Sequence, residues 1–130
     1  MLKISLQVKL SIREADVKTR REVLQSLLQL DRPLSEIKSR LASHRWDSET
    51  EIERLARSHC EAILNRFLNR ELSEENVEEW ANLVEGREDI GFEEGHEDTL
   101  RGLLHELANP LLEGFLTREK ILWWLSELGQ

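Results

Sequence analysis

The chain has 130 residues, 39% hydrophobic and 34% charged, with a formal net charge of −8. That length suits one domain with a real core, and no apolar run approaches the roughly 18 residues of a transmembrane helix. Charge divides unevenly: residues 1–70 carry 14 Lys/Arg and 10 Asp/Glu (+4), residues 71–130 carry 4 and 16 (−12), and the two recover −8. So acidic a half argues against a nucleic-acid partner, because phosphate contacts need Lys and Arg. The single Cys60 cannot close an internal disulfide. Residues 2–12 have the pattern of neither a signal sequence nor a transit helix, so a bacterial cytoplasmic location is the default expectation, with no membrane partner.

Leu2, Ile4, Leu6, Val8, Leu10 and Ile12 alternate with Lys3, Ser5, Gln7, Lys9 and Ser11, the period of a half-buried strand. A lone strand in a helical domain must find partners for its backbone. Residues 1–13 are therefore set apart as an N-terminal arm or β-strand, either pairing with its copy in a homodimer or fraying. Residues 14–130 form the helical domain.

From Glu14 the pattern is helical, with Val17, Leu24, Leu27 and Leu28 on one face and a break at Asp31-Arg32-Pro33. Leu34-Ser35-Glu36 opens a short helix carrying Ile37 and Leu41. Ser48 and Glu51 fit a capping box for a helix whose stripe holds Ile52, Leu55, Ala56, His59, Cys60, Ile63 and Phe67. Ser73 suits the N-cap of the next helix, Leu72 and Val77 a hydrophobic staple, and Glu74 and Glu75 its first turn, where the helix dipole favours anions. Val77, Trp80, Ala81 and Val84 make its core stripe. Gly86, Gly91 and Gly95 predict an irregular loop over 86–98. Leu100, Leu103, Leu104, Leu107 and Ala108 form a further helix, stopped by Asn109-Pro110. Leu116-Thr117 opens the last, carrying Ile121, Leu122, Trp124, Leu125 and Leu128. The sum is a mainly α protein, a compact bundle of about five to six helices.

The same elements carry only fragments of catalytic and metal-binding patterns. His96-Glu97 and His105-Glu106 lack the second His of the zinc-protease motif. Glu93-Glu94-Gly95-His96 is a single Glu-x-x-His where a di-iron bundle needs two. An EF-hand register would put Gly86 or Ile90 where Asp is required. Loose divalent-cation binding by Glu88, Asp89, Glu93, Glu94, Glu97 and Asp98 stands as an alternative to a solvated acidic loop. His59 and Cys60, adjacent on a helix, point about 100° apart and do not face each other. Phosphate-binding glycine motifs do not occur. No cofactor and no metal site is implied.

Acid and aromatic residues carry more. Glu71 to Asp98 hold 12 carboxylates and one base, Arg87, a net of 1 − 12 = −11, with Val77, Trp80, Ala81, Leu83, Val84, Ile90 and Phe92 threaded through. Apolar residues at that density mean a folded acidic surface rather than a solvating tail. Trp123 lies about 100° from the core-facing Trp124, where a large apolar residue marks a contact surface or packs under the N-terminal arm. Trp46, in the turn His44-Arg45-Trp46, is equally ambiguous.

Leu72-Ser73-Glu74-Glu75-Asn76-Val77-Glu78-Glu79-Trp80-Ala81-Asn82 resembles segments of small acidic bacterial self-protection proteins, the colicin-immunity-like helical bundles. Glu85-Gly86-Arg87-Glu88-Asp89-Ile90 and Glu106-Leu107-Ala108-Asn109-Pro110 are similar to stretches of small bacterial proteins of unassigned role. The resemblance covers about residues 48–128 and implies an immunity-type protein that neutralises a basic partner; no functional residue is carried over from it. On charge grounds a basic nuclease domain is one such partner. The expected function is thus a non-enzymatic protein-interaction module. Its candidate partner-binding residues are Glu75, Glu78, Glu79, Glu85, Glu88, Asp89 and Trp123. A homo-oligomeric structural or regulatory protein and a metal-dependent enzyme are the alternatives.

Overall fold

The structure is a computed structural model that describes the backbone from residue 2 and the side chains from residue 16. Among the described residues, seven helices surround one hydrophobic core, with a two-stranded sheet at its edge. Residues 2–12 belong to α1 (Leu2–Gln29), not to a strand. A helix satisfies its own backbone without a second chain, and Leu, Lys and Gln are good helix formers. A homodimer through residues 2–12 concerns side chains outside the described ones.

Near the C-terminal end of α1, Val23, Leu24, Leu27 and Leu28 are buried, whereas Val17 is 43% exposed because the helix meets the domain only further on. Leu30 ends α1 in the left-handed region (φ 47°). The terminal carbonyls of α1 lack helical donors, and Arg66 supplies them: its Nη1 donates to Leu30 O (2.9 Å) and Gln29 O (3.4 Å). Helix α2 (Leu34–Leu41) starts behind Pro33 with no side-chain cap. Of the three similar helix starts, only Ser73 and Thr117 therefore act as capping residues.

No helix begins at Ser48. Its hydroxyl donates to Thr50 O (2.7 Å) in a local turn, and Glu53–Leu55 form β1. β1 pairs in parallel with β2 (Ile90–Phe92), Glu53 opposite Ile90 and Leu55 opposite Phe92. The expected loop over 86–98 thus contains a strand. Helix α3 (Arg57–Leu68) opens where His59 Nδ1 accepts the Ala56 N–H (2.9 Å), the part a Glu or Gln plays in a capping box.

Helix α4 (Glu74–Val84) follows the sequence pattern closely. Asn76 N donates to Ser73 Oγ (3.1 Å), and Ser73 N donates back to Asn76 Oδ1 (3.0 Å). Val77, Trp80, Ala81 and Val84 are all buried. Trp80, the largest fully buried side chain, donates its indole N–H to Leu27 O (2.7 Å), locking α4 to α1. Helix α5 (Glu97–Ala108) packs its five predicted apolar residues inward. A short α6 (Pro110–Glu113) begins on the proline, which suits a first helical turn. Helix α7 (Arg118–Leu128) buries Ile121 and Leu128, while Leu122 stays exposed.

Candidate partner-binding face and groove

On α4 the buried stripe turns Glu75, Glu78 and Glu79 to the outer side, with Glu75 exposed and the other two half-exposed. Glu79 meets Lys38 Nζ at 2.8 Å, an exposed pair contributing little. Glu85 caps the end of α4 and Glu88 lies two residues before β2, both exposed; Glu88 Oε2 accepts the Ser48 N–H (3.3 Å). These five carboxylates are surface groups.

Asp89 is not: it is 0% exposed. Its carboxylate is gripped by two guanidiniums. Arg87 Nε donates to Oδ1 and Arg87 Nη2 to Oδ2, and Arg20 Nε donates to Oδ2, each at 2.9 Å. The Asp89 carbonyl accepts from Ile52 N (2.7 Å) and Glu53 N (3.1 Å). Both arginines reach on to the connector before β1: Arg20 Nη2 donates to Arg45 O and Asp47 O, and Arg87 Nη2 to Arg45 O. Asp89 is therefore a structural clamp joining α1, the 45–47 connector and both strands. It cannot touch a partner. Nothing in the residue types separates it from Glu88. The usable signal was Arg87, the lone base in the acidic segment, two positions away.

Beside this clamp a groove of about 740 Å³ opens between the end of α4, β2 and α5. Val84, Ile90 and Leu104, all buried, underlie its floor, half-exposed Phe92 is its apolar wall, and Glu85, Glu88 and Asp98 stand at its rim. Arg101 lies over the Phe92 ring, 5.2 Å from its centroid, and 3.5 Å from Asp98. His105 Nδ1 is 3.9 Å from Glu85 Oε2. The groove joins two predicted site residues, Glu85 and Glu88, to four apolar residues that the sequence marked only as core or folded-surface positions. Ile90-x-Phe92, an alternating pair, was the available strand signal.

Trp123 sits elsewhere, on α7, 56% exposed and edge-to-face with Trp124 (centroids 4.8 Å apart). Trp124 turns inward and donates its indole N–H to the Glu106 carboxylate. Leu111, 92% exposed, with Leu112 and Phe115, makes the α6–α7 corner a second apolar surface. Lys120 Nζ ties that corner by donating to Glu113 O (2.6 Å).

The acids of the 88–98 stretch do not converge. Glu93 binds Arg57, Glu97 Oε1 accepts the Gly95 N–H (3.0 Å), and Asp89 is clamped. Among the described residues no three His, Cys, Asp or Glu side chains group as metal ligands. Burial pushes the Cys60 thiol up to about 12, so it stays protonated. Burial also lowers the His59 pKa, against the raising effect of Glu53 and Glu93. Since its Nδ1 accepts the Ala56 N–H, neutral His59 is a cap rather than a base for the neighbouring thiol.

A pH dependence follows. Folded His59 binds its proton less readily than unfolded His59, whose ordinary value is 6.5. Its contribution is complete above that pH and is lost as pH falls toward the lower folded value. Hydrogen bonding to Arg57 likewise depresses Glu93 below the ordinary 4.5, so a second loss follows at lower pH. Thermal melts from pH 7 to 4 are expected to show a falling Tm. His59→Gln keeps the capping acceptor and should remove the upper part of the fall; an unchanged profile would count against this assignment.

Comparison of the chain with protein-family models, with curated proteins and with solved structures returns no match.

Proposed function

We propose that the protein is a non-enzymatic interaction module whose acidic surface, on α4 and the turn after it, receives a basic protein partner in the manner of an immunity protein. One observation carries this reading. Glu75, Glu78 and Glu79 project from a helix anchored by a fully buried tryptophan, so their charges are fixed in position rather than carried on a tail. Fixed fields of one sign speed association with an oppositely charged surface and choose between partners. The acid-rich segment 71–98, at 1 − 12 = −11, supplies that field.

The test is charge reversal. Glu78→Lys with Glu79→Lys should leave the circular dichroism spectrum and Tm near wild type. The same pair should slow association with a basic partner captured from lysate by about tenfold or more and flatten its dependence on ionic strength. Unaltered association kinetics in the double variant would refute the reading.

A further inference from the structure

We propose that the groove beside β2 takes an extended basic segment of the partner, which adds along the outer edge of β2. One large apolar side chain would rest against Phe92, over the buried Val84 and Leu104, and flanking Lys or Arg side chains would meet Glu85, Glu88 and Asp98. This rests on the reading that the partner is a basic protein, and narrows it to one place and one backbone conformation.

The strand register supplies the first reason. Glu53 N donates to Asp89 O and Glu93 N to Leu55 O, so Asp89, Gly91 and Glu93 face β1. Ile90 and Phe92 turn their backbone groups the other way. Ile90 N reaches Arg87 O at 3.5 Å, but the Phe92 N–H and the Ile90 and Phe92 carbonyls have no hydrogen-bond partner among the described residues. Such an edge is a template for an added strand. The same two residues line the groove, whose size of about 740 Å³ falls in the usual range for a bound group.

Charge supplies the second reason. The two cations at the groove are already engaged: Arg87 on Asp89, and Arg101 over Phe92 beside Asp98. Glu85 and Glu88 stay exposed at the rim. An apolar wall with a carboxylate rim matches an apolar residue flanked by cations, and an acidic or wholly apolar segment would leave those carboxylates uncompensated.

The full chain, labelled with ¹⁵N, would be titrated with a short peptide alternating Lys with Leu and Phe, and with an oligolysine of equal length. The expected result is amide shifts concentrated at Ile90, Phe92 and Asp98 to His105, with the alternating peptide bound about tenfold tighter, near 1.4 kcal/mol. Gly102 lines the groove, so Gly102→Leu adds bulk at its edge without changing charge. A Cβ there makes only ordinary contact with the Trp124 ring (3.7 Å), so the fold should hold while peptide affinity drops about tenfold. Equal binding of both peptides, with shifts on Glu75, Glu78 and Glu79, would overturn the groove and leave the acidic face standing. Binding of neither peptide would overturn both. Concentration-dependent shifts at Ile90 and Phe92 without peptide would assign the edge to a second copy and overturn the proposal.

Discussion

Asp89→Ala is expected to lower folding stability by about 3–5 kcal/mol, the cost of breaking a buried ion pair from one side. The variant leaves two guanidiniums facing each other, with side-chain exposures of only 16% for Arg20 and 8% for Arg87. It also frees the hold that both arginines have on Arg45 and Asp47. Urea unfolding should show a lower midpoint at an unchanged m-value. Glu88→Ala, one residue away but exposed, should stay within about 0.5 kcal/mol of wild type. Equal behaviour of the two variants would mean that the clamp contributes nothing to stability. The contrast also guards the binding experiments, since lost binding in an Asp89 variant would report unfolding rather than contact.

Trp80→Ala should be as damaging, about 3–5 kcal/mol, because a fully buried indole leaves a cavity that surrounding helices cannot close. That is a large share of a total stability of about 5–15 kcal/mol. Trp80→Phe is expected to cost less, because most of the ring volume remains. Its Leu27 carbonyl is not orphaned either, since it also accepts the Leu30 N–H (3.2 Å). Of the four tryptophans, Trp46 and Trp123 are exposed and Trp124 is half-buried, so the blue-shifted part of the emission should fall in both variants to what Trp124 contributes. If the Phe variant unfolds as readily as the Ala variant, the indole hydrogen bond, not ring volume, holds α4 to α1.

What could be read from the residues was local. Helix α4 was legible down to its cap, because Ser73, the Leu72–Val77 spacing and the stripe through Trp80 all lie within one stretch. Helix α5 was legible for the same reason. β1 and β2 were not. Each spans three residues, and neither is a strand without the other, which lies some 35 residues away in sequence. That distant pairing also moved the start of α3, displacing a plausible capping box at Ser48. At residues 2–12 the alternation was real, but leucine and lysine serve a helix as readily as a strand, and the backbone took the state that needs no second chain. In the candidate site, the outward placement of Glu75 and Glu78 followed from helical phase alone. The burial of Asp89 depended on Arg20, 69 positions earlier, and no local pattern could carry it.

The clamp also bears on entropy. Asp89 stands between Glu88, on the groove rim, and Ile90, on the edge of β2, so the chain at this wall is fixed by its own arginines before anything arrives. Preorganisation of this kind assigns the ordering cost of association to the incoming segment. The backbone from Arg87 to Phe92 should accordingly move little between free and bound states, by about 1 Å or less.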